Sequence, residues 1–229
     1  MSNRQFWDAK AWESGAKAAH YKKDFWHTEN LRYSWAHPRM VKVARTVNSL
    51  ARRGDRTLLD VGCGPATLAS LLLPNIQYYG IDIAIKTPAH NLLEADLLKS
   101  PISFGDKSFD IVVAQGFFEY VGELQSQKLA EIAASLRDGG TFITSYVNFD
   151  HRRPHIYGPY SNVRPFDQFR SSVEEHFAVR RVLPTSYNWR HRDSDRRIFK
   201  AIGLNTDLNI PVVGRSLAVQ YILVCGTRL

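Results

Sequence analysis

Short apolar runs alternate with helical segments from residue 57 onward, and this alternation restricts the possible folds more than any other feature of the chain. The runs typical of buried strands are residues 57–61, 78–83, 92–97, 109–115, 141–147, 178–183 and 219–225. Helical segments are predicted at residues 38–52, 65–73, 122–137, 166–177 and 193–203. Strands that alternate with helices of this length predict a mostly parallel sheet with helices on both of its faces.

The composition is that of an ordinary globular domain. Hydrophobic residues make up 44% and charged residues 23% of the 229 residues, which argues against wholesale disorder. Two cysteines, Cys63 and Cys225, are too few for a disulfide framework and fit a reducing compartment. The chain has no apolar run of about 18 residues, and its first residues lack the apolar stretch of a signal peptide, so we expect a cytoplasmic protein without a transmembrane segment.

The net charge of +8 is unevenly distributed. Residues 151–200 contain 11 Lys and Arg against 5 Asp and Glu. Such a surplus attracts phosphates, carboxylates, nucleic acid or an anionic membrane, although a solvated basic surface that aids solubility explains it equally well.

A glycine turn directly follows the first predicted strand and suggests a nucleoside site. Gly62 and Gly64 leave room for a ligand close to the backbone, while Asp60 is suited to organising the turn and attracting an amino group. The third glycine of a G-x-G-x-x-G dinucleotide motif is missing, which disfavours a nicotinamide or flavin cofactor. Asp82 ends the next strand, where a carboxylate can accept two hydrogen bonds from a ribose diol.

Five segments in order resemble the motifs of class I S-adenosylmethionine-dependent methyltransferases, and in particular the branch that acts on small molecules. The segments are residues 60–64, 80–83, 94–97, 108–115 and 136–142. The resemblance extends over about residues 38–149, and one departure lies in the first motif, where Ala66 stands in place of the usual third glycine. Alanine is small and Pro65 preorganises the turn, so this departure is mild.

The resemblance implies a Rossmann-like seven-stranded sheet whose last strand is antiparallel, with helices on both faces and an N-terminal helical lid. Residues 1–37 would form the lid, and residues 38–229 a single methyltransferase domain. The implied cofactor is S-adenosylmethionine, with S-adenosylhomocysteine as product and no metal. The implied cofactor contacts are Asp60, Gly62, Cys63, Gly64, Asp82, Ile83, Asp96, Leu97, Gln115 and Gly116, with Asp96 facing the adenine amino group and Leu97 packing on the ring.

Catalytic residues are harder to predict, because methyl transfer from a sulfonium is an in-line displacement that depends mainly on alignment. A base is needed only when the acceptor carries a proton at neutral pH. Glu119, after the fourth strand, and His151, after the fifth, are the candidates, although a helix-start carboxylate and a surface histidine are equally consistent with them. Candidate substrate contacts are Tyr21, Tyr120, His155, Tyr157 and Trp189.

Three hypotheses remain for the methyl acceptor and for the function of the protein. The first is methylation of an oxygen or nitrogen of a small molecule, such as a natural product, sugar, lipid or glycan precursor and including anionic acceptors, by a monomer or homodimer. The second is an RNA or protein methyltransferase that docks through residues 151–200. The third is a non-catalytic cofactor-binding scaffold. Methylation of DNA base amino groups is disfavoured, because residues 114–118 lack the Asn/Asp-Pro-Pro-aromatic sequence usual in such enzymes.

Overall fold

The computed structural model describes residues 38–85, 89–148, 164–188, 209–211 and 220–227. Its three α-helices within this part of the chain are α1 (Pro38–Ala51), α2 (Gln125–Ser135) and α3 (Phe166–His176). Its strands are β1 (Arg56–Val61), β2 (Ile76–Asp82), β3 (Leu92–Glu94), β4 (Phe109–Gln115), β5 (Leu136–Val147), β6 (Phe177–Pro184), β7 (Ser186–Asn188), β8 (Asn209–Pro211) and β9 (Gln220–Thr227).

Seven of these strands form one sheet in the order β3-β2-β1-β4-β5-β9-β6. Strands β1 to β5 pair in parallel, whereas β9 runs antiparallel to both β5 and β6. The chain order reverses between β1 and β4, which is the place where ligands bind in open α/β sheets. The predicted fold, including the antiparallel last strand, is confirmed. The predicted lid at residues 1–37 lies outside the described residues.

The sheet is covered on both faces, which explains why its strands are almost continuously apolar. Successive side chains of β1 point to opposite faces, so Leu58 packs beneath α1 while Leu59 packs on the side of α2 and α3. Val43 and Val47 of α1 are fully buried on the first face, and Phe169 of α3 is fully buried on the second. Burying both faces fixes the register of the strands, and therefore the positions of the residues that follow them.

Several predicted element boundaries are wrong. The helix predicted at residues 65–73 is a short 3-10 helix, Thr67–Leu71. The strand predicted at residues 92–97 ends at Glu94. The helix predicted to reach residue 137 ends at Ser135, because β5 begins at Leu136, which pairs with Phe109. The helix predicted at residues 193–203 falls outside the described residues.

No helix in the described part of the chain is long and apolar enough to cross a membrane. A depression of about 420 Å³ lies between the amino ends of β1, β2 and β4, beside Thr57, Tyr79 and Lys107. It is at the edge of the sheet opposite to the glycine turn, so it is not the predicted site.

Candidate cofactor site

Asp60 and Asp82 lie at the same edge of the sheet, at the carboxyl ends of β1 and β2. The parallel register pairs Asp60 with Gly80 and Val61 with Ile81. Asp60 is 3% exposed and Asp82 is 8% exposed. A parallel sheet brings the ends of adjacent strands together, so the two carboxylates predicted from separate segments meet in one place.

The Asp82 carboxylate holds the glycine turn in position. Its Oδ2 accepts a hydrogen bond from the Gly64 amide at 2.8 Å, and its Oδ1 accepts one from the Ala84 amide at 3.1 Å. The Gly62 and Cys63 amides donate to the Ile81 carbonyl at 2.8 and 3.2 Å. The turn is therefore attached to the end of β2 by both backbone and side-chain hydrogen bonds, and Asp82 has a structural role that the sequence did not predict.

Backbone conformation explains the need for glycine in this turn. Gly62 has a φ of 71° and Gly64 a φ of 53°, in the left-handed region that side chains with a Cβ disfavour. A Cβ at Gly62 would lie 3.4 Å from the Phe117 ring, whereas a Cβ at Gly64 would meet no atom within 4 Å. The space in front of Gly64 is thus open to a ligand, whereas the amides of Gly62, Cys63 and Gly64 already donate hydrogen bonds within the protein.

Ala66 also has a left-handed conformation, with φ 56° and ψ 29°. We expect Ala66→Gly to raise the free energy of unfolding by about 0.5–1 kcal/mol, because relief of the left-handed strain exceeds the added chain entropy of glycine. The melting temperature should rise by about 1–4 °C in calorimetry. Ala69→Gly in the following 3-10 helix is the matched control and should destabilise the protein. An unchanged or lower melting temperature for Ala66→Gly would contradict this reading of the turn.

Asp60 is paired with a residue that the sequence analysis missed. The Tyr78 hydroxyl donates a hydrogen bond to Asp60 Oδ2 at 2.9 Å. The pKa of Asp60 is raised to about 7. Burial is the largest cause, the Tyr78 hydrogen bond acts in the opposite direction, and the negative charge of Asp82 adds to the increase. Gly80 lies opposite Asp60 in the parallel register of β1 and β2. The contact between Tyr78 and Asp60 could be predicted only once the register of β1 and β2 was known.

Cys63 is buried within the turn, and burial together with the charges of Asp60 and Asp82 raises the pKa of its thiol well above the ordinary range. The thiol therefore remains neutral, which fits a packing role. A Cβ added at Gly80 would lie only 2.8 Å from the Cys63 Sγ, which is too close. Glycine at position 80 is thus required by the close approach of the turn to β2.

The residues predicted to contact adenine lie beyond β3. Asp96 Oδ1 accepts a hydrogen bond from the Leu98 amide at 3.1 Å, and its Oδ2 is paired with Lys99 at 2.9 Å. Leu97 is 6% exposed and belongs to the core on the side of α2 and α3. Ile83 is half-buried next to Asp82. The roles of these three residues toward a ligand stay predictions.

Gln115 and Gly116 end β4 at the same edge. Gln115 Oε1 is buried and has no hydrogen-bond partner within the described residues, which is expected of a group that a ligand completes. The Gly116 amide donates to Ser145 Oγ at 2.9 Å. The Arg39 guanidinium lies against Gly116, with Nη1 3.2 Å from the position of a Cβ, and donates to Gln220 Oε1 at 3.3 Å. Arg39 was missed because nothing in the sequence separates it from Arg45, the other arginine of α1.

Glu119 and Tyr120 follow β4, as predicted. Glu119 is 4% exposed, and its charge contributes to raising the pKa of the buried Tyr146 of β5 above the ordinary range, after burial itself. The Tyr146 hydroxyl accepts a hydrogen bond from the Arg164 amide at 2.8 Å. Glu119 is therefore a buried carboxylate beside the ends of β4 and β5. Tyr120 is half-buried, and its amide donates to the Phe117 carbonyl at 3.0 Å.

The remaining predicted contacts fall outside the described residues. They are Tyr21, His151, His155, Tyr157 and Trp189. Within the described ranges, no three His, Cys, Asp or Glu side chains converge as a set of metal ligands. The structure thus brings together the predicted residues of the glycine turn with Asp60, Asp82 and Ile83, and places Gln115 and Gly116 at the same edge.

Residues 59–144 match a family model described as a methyltransferase domain. No curated protein sequence matches the chain. Among solved structures, the chain is similar to the methyltransferase in a complex with the Haloferax volcanii Trm112 methyltransferase activator, with 20% identity, a TM-score of 0.63 and coverage of 91% of this chain and 98% of that chain.

Two other structures have the same fold. The N-methyltransferase NodS from Bradyrhizobium japonicum, solved with S-adenosylhomocysteine, is 11% identical, with a TM-score of 0.55 and coverage of 96% of this chain and 99% of that chain. The [4+2]-cyclase SpnF is 18% identical, with a TM-score of 0.56 and coverage of 84% of this chain and 81% of that chain. Together, the match over residues 59–144 and the similarity to these structures show a methyltransferase domain with the Rossmann-like fold of S-adenosylmethionine-dependent methyltransferases.

Proposed function

We propose that the protein transfers the methyl group of S-adenosylmethionine to an oxygen or nitrogen atom of a small-molecule acceptor. The observation that carries this proposal is the glycine turn at the ends of β1 and β2, held by Asp82 and adjoined by the buried Asp60. Two carboxylates beside the open side of Gly64 suit a ligand that carries positive charge on a sulfonium and an amino group.

Several described residues suit particular chemical groups of this cofactor. The open side of Gly64 allows close approach of a ligand to the backbone. Asp82 is a carboxylate at the end of β2, and a carboxylate has about four acceptor positions, which suits the hydroxyls of a ribose. Arg39 offers a guanidinium at the end of β4, which suits a carboxylate. When bound, the cofactor supplies an electrophilic methyl group on sulfur.

The protein's own contribution to the reaction is alignment, which can be worth about 7–11 kcal/mol. Glu119 is the described candidate for a base, because it is a buried carboxylate beside the ends of β4 and β5. Its role would be to accept the proton of an acceptor hydroxyl or ammonium group. His151 is the alternative base, and Tyr21, Tyr120, His155, Tyr157 and Trp189 stay predictions for acceptor contacts.

Calorimetry tests the proposal directly. Titration of the full chain with S-adenosylhomocysteine should give saturable binding with a dissociation constant between about 1 µM and 1 mM. Incubation with S-adenosylmethionine and a panel of hydroxyl and amine compounds should then yield S-adenosylhomocysteine at a rate that changes little with salt. Binding weaker than the millimolar range would contradict cofactor use, and turnover restricted to RNA or to proteins would contradict a small-molecule acceptor.

Two alternatives keep specific support. An RNA or protein acceptor is favoured by the basic composition of residues 151–200, most of which lie outside the described part of the chain. A scaffold role without methyl transfer is compatible with the fold, because the similar structure SpnF is a [4+2]-cyclase. A protein partner is a further candidate, since one similar methyltransferase forms a complex with the Trm112 activator.

A further inference from the structure

One outward sector of α1 and the turn directly after the helix carry exposed cations. We define the α1 basic face as Lys42 and Arg45 of the helix with Arg52 and Arg53 of the turn, of which the three arginines are exposed. The buried side of the helix carries Val43, Ala44, Val47 and Ala51. At about 100° per residue Lys42 and Arg45 fall within one outward sector, opposite to these apolar residues. The sequence of α1, PRMVKVARTVNSLA, contains no acidic residue.

This charge is not neutralised within the described structure. The ion pairs found there involve Lys99, Lys128, Arg137, Arg164 and Arg170, and none of them includes a residue of the α1 basic face. The other two helices are mixed in charge: α2 carries Lys128 and Glu131, and the α3 sequence FDQFRSSVEEH has three acidic residues. Of the three described α-helices, α1 is therefore the one that carries basic residues and no acidic residue.

The α1 basic face leads toward the cofactor site. Arg39, at the start of α1, lies against Gly116 at the carboxyl edge of the sheet, and Lys42 donates to the Pro184 carbonyl at the end of β6. The helix ends near the amino edge, where β1 begins at Arg56. The cations extend from Lys42, in the second turn of α1, to Arg53, just beyond its end, so they form a track rather than a point site.

The chemistry of this track favours one class of ligand. A single phosphate or carboxylate needs only one or two of the cations, whereas a row of them suits a polymer with a charge on every unit. Insertion into a bilayer requires an exposed apolar side, but the apolar side of α1 is buried against the sheet. Ser49 is the uncharged residue exposed between the arginines, and it can donate to a phosphate.

We propose that the α1 basic face docks the phosphodiester backbone of a nucleic-acid strand and guides it toward the carboxyl edge of the sheet. The contacts are to phosphates, so the binding is largely independent of base sequence. The inference concerns a surface outside the cofactor site, and it holds whether the methyl acceptor is a separate small molecule or a nucleotide of the docked strand.

Fluorescence anisotropy with a labelled oligouridine strand tests this docking. The full chain should bind with a dissociation constant below about 100 µM at low salt, and the affinity should fall steeply between about 50 and 200 mM salt. The variant R45Q/R52Q/R53Q should weaken binding at least tenfold and reduce the slope of log affinity against log salt by about 2, since each phosphate contact contributes about 0.7. The three residues lie outside the cofactor site, so binding of S-adenosylhomocysteine should not change.

The control variant K107Q/R170Q/R181Q removes the same charge from other exposed surfaces. It should retain most of the affinity, and melting curves should show that both variants are folded. An oligothymidine strand distinguishes RNA from DNA as the source of the backbone, and vesicles of phosphatidylglycerol test for a membrane instead. Equal losses in the two variants, no binding to either strand, or binding to vesicles alone would overturn the proposal. Failure of cofactor binding with intact strand binding would instead contradict the proposed function.

Discussion

Asp82→Ala should reduce the affinity for S-adenosylhomocysteine at least 100-fold. The substitution removes the acceptors of the Gly64 and Ala84 amides, which hold the glycine turn beneath the ligand. The predicted hydrogen bonds from the ribose hydroxyls to this carboxylate would be lost, and charge-assisted hydrogen bonds contribute about 1.5–3 kcal/mol each. Since about 1.4 kcal/mol corresponds to a tenfold change in affinity, the loss of two such bonds gives about 100-fold, and displacement of the turn adds to it. Titration calorimetry measures it.

The control for this variant must lose a similar carboxylate without touching the site. Asp110 is suitable, because its Oδ2 accepts a hydrogen bond from the Thr57 amide at 2.8 Å and pairs with Arg137, but at the amino edge of the sheet. Asp110→Ala should lower the melting temperature and leave cofactor affinity unchanged. Asp82→Asn, which keeps one carbonyl oxygen, should have an intermediate affinity. Equal affinities for Asp82→Ala and the parent protein, with both folded, would contradict the assigned site.

The sequence allowed the site to be located because its residues sit at positions set by local patterns. Asp60 and Asp82 end apolar runs, and burial of both sheet faces fixes where each run lies in the sheet. The glycines mark a backbone conformation that other residues avoid, so Gly62 and Gly64 are visible without any tertiary information. Parallel pairing then brings the strand ends to one edge, and the candidate residues follow.

Contacts that depend on strand register and helix orientation could not be predicted in this way. The contact of Tyr78 with Asp60 depends on the register of β1 and β2, which pairs Asp60 with Gly80. The contact of Arg39 with Gly116 depends on how α1 crosses the sheet. Each contact joins segments that are distant in sequence, and neither residue type is unusual for its element. The early end of α2 has a similar cause: Leu136 pairs with Phe109 across the sheet, which overrides the local helical pattern.

Asp60 should make the stability of the protein depend on pH in a direction opposite to that of most carboxylates. Its pKa is about 7 in the folded protein, against 3.8 for an unperturbed side chain. Between these values the folded state holds a proton that the unfolded state has lost, so the free energy of unfolding falls as pH rises. Above about pH 7 both states are ionised and the contribution is lost. The effect is on the order of 3 kcal/mol between pH 5 and pH 8.

Comparison with Asp60→Asn isolates this contribution, because asparagine keeps an oxygen that can accept the Tyr78 hydrogen bond but does not titrate. Urea unfolding of both proteins at several pH values gives the difference in their free energies of unfolding. We expect the parent protein to be more stable relative to the variant at pH 5 than at pH 8. A difference that does not change with pH would show that Asp60 titrates near its unperturbed value.

The same group should couple cofactor binding to proton release. A ligand with positive charge at the ends of β1 and β2 favours the ionised form of Asp60, so binding near pH 6.5 should expel the proton that this carboxyl holds in the free protein. Affinity for S-adenosylmethionine should therefore increase from pH 6 to pH 8 in the parent protein and much less in Asp60→Asn. The amino group of the free ligand titrates identically in both experiments and cancels in the comparison. Calorimetry in two buffers of different ionisation enthalpy counts the released protons, and an equal count for the two proteins would mean that Asp60 is already ionised before the ligand arrives.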